Sequence, residues 1–367
     1  MRVFSTSPLY LTRFLAALLV LFYHYSSPSM RTALPGIKHF GEPVNFFFFL
    51  SGFVLVFSNQ KFFQKSLAQI KFPKRKFWLK RFARIYPMYL LALFILILFH
   101  FLIKRIDNSI PYRVWLEIIG IQRWIYDGSI NAPDWSVSCE FFFYMLFPFA
   151  LPWLIKTSFK KLVIITTGLF LLNILFTIAF RKLIPALLIH HHSTIFKYAL
   201  HSLYLHPVFK FTIFIFGCLC GRFYLESPLM KLFQKYNVTI LLFSALLIVF
   251  FYAYDIVSII FYKAGIMCFL YFPLLLSLCS SKNNLLKALS WKPFIFLGEI
   301  SYGIYIMQAP VEHFFEYLFT GNKRFTTIFQ FSTYVLFLIL VCSILYYIYE
   351  IPLKKIILKR FTKSVVT

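Results

Sequence analysis

The sequence predicts an all-α integral membrane protein, a bundle of about ten transmembrane helices with both termini in the cytoplasm. Three observations carry this. Of the 367 residues, 60% are hydrophobic and only 14% charged, with a mean hydropathy of +0.76; a soluble domain is roughly half apolar and a quarter charged. The apolar residues gather in repeated stretches of about 20, the length a helix needs to cross hydrocarbon. With 50 Phe and 23 Tyr, those stretches are too continuous for the alternating strands of a membrane barrel.

The segments fall at about 8–27, 43–58, 85–103, 136–155, 162–180, 207–225, 238–254, 258–280, 294–314 and 326–349. The first, LTRFLAALLVLFYHY, runs through Arg13 and His24 and lacks a small-residue cleavage site, so it is expected to remain as the first helix. Basic residues mark alternate loops: Arg2; Lys61 to Arg84; Lys156, Lys160 and Lys161; Arg222, Lys231 and Lys235; Lys282, Lys287 and Lys292; and Lys354 to Lys363. The positive-inside rule puts these loops in the cytoplasm, with about half as many basic residues outside. The weakest separation is the turn at Tyr254 and Asp255, between the seventh and eighth segments.

The net charge of +26 is therefore a topology signal, since it is scattered through short loops and forms no stripe for nucleic acid. The six cysteines lie in or beside apolar stretches and read as small core residues with no disulfide. No repeat or linker divides the chain, which is expected to be one domain over residues 1–367 without a fused soluble domain.

Ionisable groups inside spans are costly and usually face the bundle interior, which singles out Arg13, His24, Arg84, Glu140 and Glu299. Arg13 and His24 lie eleven residues apart, about three turns, so they share one helix face with about 16 Å between them. Snorkelling of Arg13 and a satisfied core histidine at position 24 explain these two residues equally well when they are taken alone. Arg81 and Arg84 share a helical face at the cytoplasmic boundary, a geometry suited to phosphate groups and equally to membrane anchoring. In GEPVNFFFFLSGFVLVFS, Ser51 and Gly52 sit in a wall of aromatics, where the glycine permits close approach of a helix or ligand.

The segment PDWSVSCEFFFYMLFP opens the fourth helix with Trp135 and Ser136 and places Glu140 below them. Because the first helix runs outward and the fourth inward, Glu140 matches His24 in depth and is expected to orient its imidazole. A structural ion pair between Glu140 and an arginine is the competing reading. On the ninth helix, Glu299, Ser301, Tyr302, Tyr305 and Gln308 recur at helical spacings, where interfacial anchoring by tyrosine competes with a site. His190, His191 and His192, with His201 and His206, suit a solvated outer loop better than a metal site, and no metal is assigned.

Taken together, these motifs resemble the membrane acyltransferase 3 family, bacterial multi-helix O-acyltransferases of surface sugars. The resemblance rests on RFLAALLVLFYH, FFFFLSGFVL, RFAR followed by IYP, WSVSCEFFFYMLFP, FGCLCGRFY, ISYGIYIMQAP and YEIPLKK, in order over nearly the whole chain. It implies that His24 is the catalytic base or an acyl relay, and Glu140 and Trp135 match the family's fourth-helix motif. It also implies that Arg13, Arg81 and Arg84 handle an acyl-CoA donor, acetyl-CoA above all, as a substrate with no permanently bound cofactor. Ser51, Gly52, Trp135, Ser136, Ser301, Tyr302 and Tyr305 fall in the supporting motifs.

The implied acceptor is a glycan or lipid-linked glycan, such as lipopolysaccharide O-antigen or exopolysaccharide, at the outer face of the bacterial inner membrane. The outer loop at about 104–134, with Trp115, Arg123, Trp124 and then Trp135, is the expected place for sugar stacking. Two positions depart from the family: Asn45 stands where an Asp often precedes the aromatic wall, and Gln308 where many relatives carry a His. The rival from another class is a transporter of a lipid-linked sugar or acyl donor, which would favour paired halves that are not seen here. A scaffold would leave the co-located ionisable residues unexplained.

Overall fold

The computed structural model describes residues 6–63, 72–102, 110–125, 128–187, 205–254, 257–280, 284–321 and 325–363, which form helices and turns with no strand among them. The expected segments return as α1 (Pro8–Tyr25), α2 (Pro43–Ser58), α3 (Lys74–Leu102), α4 (Trp135–Lys156) and α5 (Phe159–Leu187). They continue with α6 (Pro207–Glu226), α7 (Asn237–Ala253), α8 (Cys268–Leu278), α9 (Lys292–Phe315) and α10 (Ile328–Leu345). Proline sits in the first turn of α1, α2, α6 and α9, where its missing N–H costs nothing and its fixed φ suits a helix.

Among the described residues, eight helices are long and apolar enough to span a membrane, two fewer than expected. The difference lies in α7 and α8, apolar helices of 17 and 11 residues. The expected run at 258–280 is broken: a short helix, Ile259–Ala264, ends on Gly265 at φ 94°, a left-handed position that closes the helix. Only then does α8 begin. At the other end of the chain, α10 runs through a π turn at Tyr346–Glu350 into a final helix, Ile351–Lys363.

Helix directions follow from the contacts. A Cβ on Gly298 would lie 2.3 Å from the Tyr10 carbonyl oxygen, and further along His24 Nδ1 lies 2.8 Å from Gln308 Oε1, so α1 and α9 run parallel. Helices α2 and α6 also run parallel and nearly touch. A Cβ on Gly52 would fall 2.1 Å from the Phe214 carbonyl oxygen, and one on Gly217 would fall 2.0 Å from that of Phe49. Gly217 and Gly221 form the small-xxx-small pattern that lets membrane helices pack backbone to backbone. The close approach expected of Gly52 is thus to a helix.

Around this seam, Phe48, Phe49, Phe53, Phe143, Phe147 and Phe214 are fully buried, with Phe143 stacked on Phe214 at 5.0 Å. Phe94, Ile164, Leu246 and Phe329 face outward with 63, 72, 67 and 77% of their surface exposed. An apolar exterior of this kind belongs in lipid, where van der Waals fit and interhelical hydrogen bonds hold the bundle together. All six cysteines are buried and free.

Candidate functional site

Near the starts of α1 and α3, a cavity of about 60 Å³ is lined by Arg13, Ser51, Arg81, Arg84, Glu140, Tyr144 and Tyr302. Tyr144 donates to Glu140 Oε2 at 3.3 Å and lies 3.0 Å from Ser51 Oγ, so Ser51, Tyr144 and Glu140 form one chain of hydrogen bonds. The Arg81 guanidinium sits 5.6 Å from the ring centres of both Phe77 and Tyr144, a cation–π clamp. Its Nε is buried without a hydrogen-bond partner among the described residues, and a buried donor of this kind calls for an acceptor. Arg13, Arg81 and Arg84 make no ion pair with Glu140, or with any other carboxylate, among the described residues.

A second cavity, about 40 Å³, shares Arg13, Phe47, Glu140 and Tyr302 with the first and adds Ser136, Ser301 and Tyr305. Its walls are fixed by hydrogen bonds. Tyr302 donates to the Ile85 carbonyl at 3.1 Å, Ser301 to that of Gly298 at 2.7 Å, and the Tyr305 hydroxyl lies 3.0 Å from Ser136 Oγ. The Tyr302 and Tyr305 bonds tie α9 to α3 and α4, while that of Ser301 stays within α9.

A third and larger cavity, about 370 Å³, shares Val44 and Tyr305 with the second and holds His24, Trp135, Arg123, Asn45 and Lys210. The polar floor here was not anticipated from the sequence. Glu42 accepts hydrogen bonds from Tyr252 at 2.7 Å, from Asn45 at 3.2 Å and from Tyr271. Asn45 Oδ1 in turn accepts from Lys210 Nζ at 2.8 Å. Shared lining residues thus link three cavities in a line beside α1, from Arg13 to His24.

The structure brings Arg13, Arg81, Arg84, Glu140, Ser51 and Tyr302 together, and sets His24, Trp135 and Tyr305 together beyond them. It does not bring Glu140 to His24. The imidazole bonds instead to Gln308 on α9, while Glu140 faces the arginines. The expected depth match therefore fails: Trp135 at the start of α4 lines the His24 cavity, whereas Glu140, five residues further along the helix and so about 7 Å deeper, lies level with Arg13.

Tyr144, four residues after Glu140, could have been found by helical spacing. Lys210, an intramembrane lysine, could have been found by the cost of burying its charge. Gln308 stood out in the sequence as part of the polar spacing on the ninth helix and as a departure from a family pattern, but not as a partner of His24. Of the expected stacking residues, Trp135 and Arg123 line the third cavity, Trp124 packs on Phe142 and His206 at 5.0 and 4.9 Å, and Trp115 is 66% exposed. His190 to His192 and His201 lie outside the described residues, and His206 caps the start of α6 by accepting from the Val208 N–H at 3.3 Å.

The turn that presents Trp135 is itself braced. Asn131 Nδ2 donates to Asp134 Oδ1 at 2.8 Å and to the Ile306 carbonyl oxygen at 2.9 Å, and Gln122 Nε2 donates to the Asp134 carbonyl oxygen at 3.0 Å. Beside them, Glu117 of the helix Ile110–Ile119 accepts from the Ile130 N–H. Burial pushes its carboxyl up to about 7, against the opposing pull of that N–H.

A family model described as an acyltransferase domain matches residues 9–347. Acyltransferase MdmB of Streptomyces mycarofaciens is 34% identical over 153 residues, covering 37% of this chain and 36% of that protein. The match therefore spans little more than a third of that relative's length. No solved structure matches the chain. The family match runs from the first turn of α1 into the π turn of α10 and takes in all three cavities, and on this basis the chain belongs to the acyltransferase 3 family.

Proposed function

We propose that the protein is a membrane O-acyltransferase, an O-acetyltransferase in the first instance. It would move an acyl group from cytoplasmic acyl-CoA to a hydroxyl of a cell-surface glycan, such as lipopolysaccharide O-antigen or exopolysaccharide, at the outer face of the inner membrane. The observation that carries this reading is the line of cavities from the arginines to His24. Phosphates of the donor bind Arg81 and Arg84, whose planar, permanently charged guanidiniums suit them. The pantetheine arm passes Arg13, Glu140 and Tyr302, and the thioester reaches His24. The rise from Arg13 to His24, about 16 Å along α1, is comparable to an extended arm of this kind.

At His24 the acceptor hydroxyl enters the larger cavity beside Trp135. The imidazole takes the hydroxyl proton as the oxygen attacks the thioester carbonyl. The carbon–sulfur bond breaks, and the leaving thiolate recovers the proton from the imidazole. Glu140 works on the donor side of this path, held by Tyr144 and Ser51. Purified protein incubated with labelled acetyl-CoA and candidate lipid-linked or polymeric glycans should transfer label. His24→Ala should insert and bind donor yet transfer none; normal transfer by that variant would contradict the mechanism.

A further inference from the structure

We propose that Gln308 is a positioning residue that holds His24 in the tautomer protonated at Nδ1, so that Nε2 is the nitrogen that accepts the substrate proton. This inference rests on the reading of His24 as the base.

The geometry leaves one self-consistent assignment. Gln308 is fully buried, and its backbone is pinned by Tyr334, which donates to the Gln308 carbonyl at 2.8 Å. One end of its side-chain amide lies 2.6 Å from the Tyr305 carbonyl oxygen and the other 2.8 Å from His24 Nδ1. A carbonyl oxygen only accepts, so the end facing Tyr305 must be the amide nitrogen. The reversed amide would press two acceptors together at 2.6 Å, and Asn and Gln orientations are fixed by network arguments of this kind. The amide oxygen therefore faces His24, and because it too only accepts, Nδ1 must carry a hydrogen and donate.

In neutral imidazole, the hydrogen at Nδ1 leaves the lone pair on Nε2. Among the described residues, His24 has no hydrogen bond other than the one to Gln308. Nε2 is thus left for the cavity that His24 shares with Trp135 and Tyr305. Lys38, His39, Glu42, Arg123, Lys210 and Lys263 also line that cavity, and none of them bonds to the ring. Gln308 carries no charge, so it selects the tautomer without the electrostatic support that a carboxylate partner gives an imidazolium.

The test is a nitrogen NMR spectrum of histidine-labelled protein, with the His24 signals assigned by their loss in His24→Ala. The expected result is a protonated Nδ1 and an unprotonated Nε2. Gln308→Met keeps length and volume but removes the acceptor. It should populate the other tautomer and lower kcat about tenfold to a hundredfold, with KM for acetyl-CoA unchanged. Gln308→Glu, which restores an acceptor, should recover the tautomer and activity above that of Gln308→Met. A His24 protonated at Nε2 in the wild-type protein, or a folded Gln308→Met with wild-type kcat, would overturn the inference. Normal transfer by His24→Ala would instead sink the reading of His24 as base, a separate result from the tautomer measurement.

Discussion

Arg13, His24, Arg81, Arg84 and Glu140 were legible in the sequence because each is a polar or charged group in or beside an apolar stretch, where it is expensive. Their partnerships were not legible. His24 meets a residue 284 positions away, and which face of α9 turns toward α1 is decided by the close approach at Gly298, which periodicity does not reveal. The arginine cluster yields a direct prediction. Arg84→Ala should raise KM for acetyl-CoA about tenfold or more, the cost of losing one charge-assisted hydrogen bond to phosphate. KM for the acceptor should stay unchanged, and steady-state kinetics at fixed ionic strength reads both.

At the scale of elements, the α2–α6 seam depends on glycine for a spatial reason. Gly52→Val would drive its side chain into the Phe214 carbonyl, and overpacking of this kind costs typically 1–3 kcal/mol. Its melting temperature in detergent should therefore fall clearly. Gly168→Ala is the control, because nothing lies within 4 Å of a Cβ there; its melting temperature should hold or rise slightly, given the better helix propensity of alanine.

The brace beneath Trp135 yields a pH prediction. Folded Glu117 keeps its proton up to about 7, whereas the unfolded chain releases it near the ordinary 4.5. The folded state then binds more protons across that window, so this contribution to stability is full below the lower value and is lost as pH rises through the upper one. Between about pH 5 and about pH 8 the melting temperature of the wild type should fall more than that of Glu117→Gln; parallel curves would contradict the assignment. Element positions were largely legible, because hydropathy marks them. The break at Gly265 was not, since a single glycine in an apolar run looks the same whether or not its φ is positive.

For the whole molecule, family membership and the many-helix membrane bundle were readable from ordered motifs and composition. All ten expected segments are helical, and among the described residues eight of them are long and apolar enough to cross a membrane, α7 and α8 being shorter. If the basic loops lie in the cytoplasm, the two termini share that side and the His24 end of the line of cavities opens outward. Reporter fusions at either terminus should then be active only as cytoplasmic reporters.

The most direct test seals the purified protein into liposomes with the arginine end facing out. Labelled acetyl-CoA is added outside and acceptor glycan is enclosed within. Label should reach the enclosed glycan with wild-type protein, and none should reach it with His24→Ala. Transfer only when donor and acceptor occupy the same compartment, or undiminished transfer by His24→Ala, would contradict a path from the arginines to His24 across the membrane.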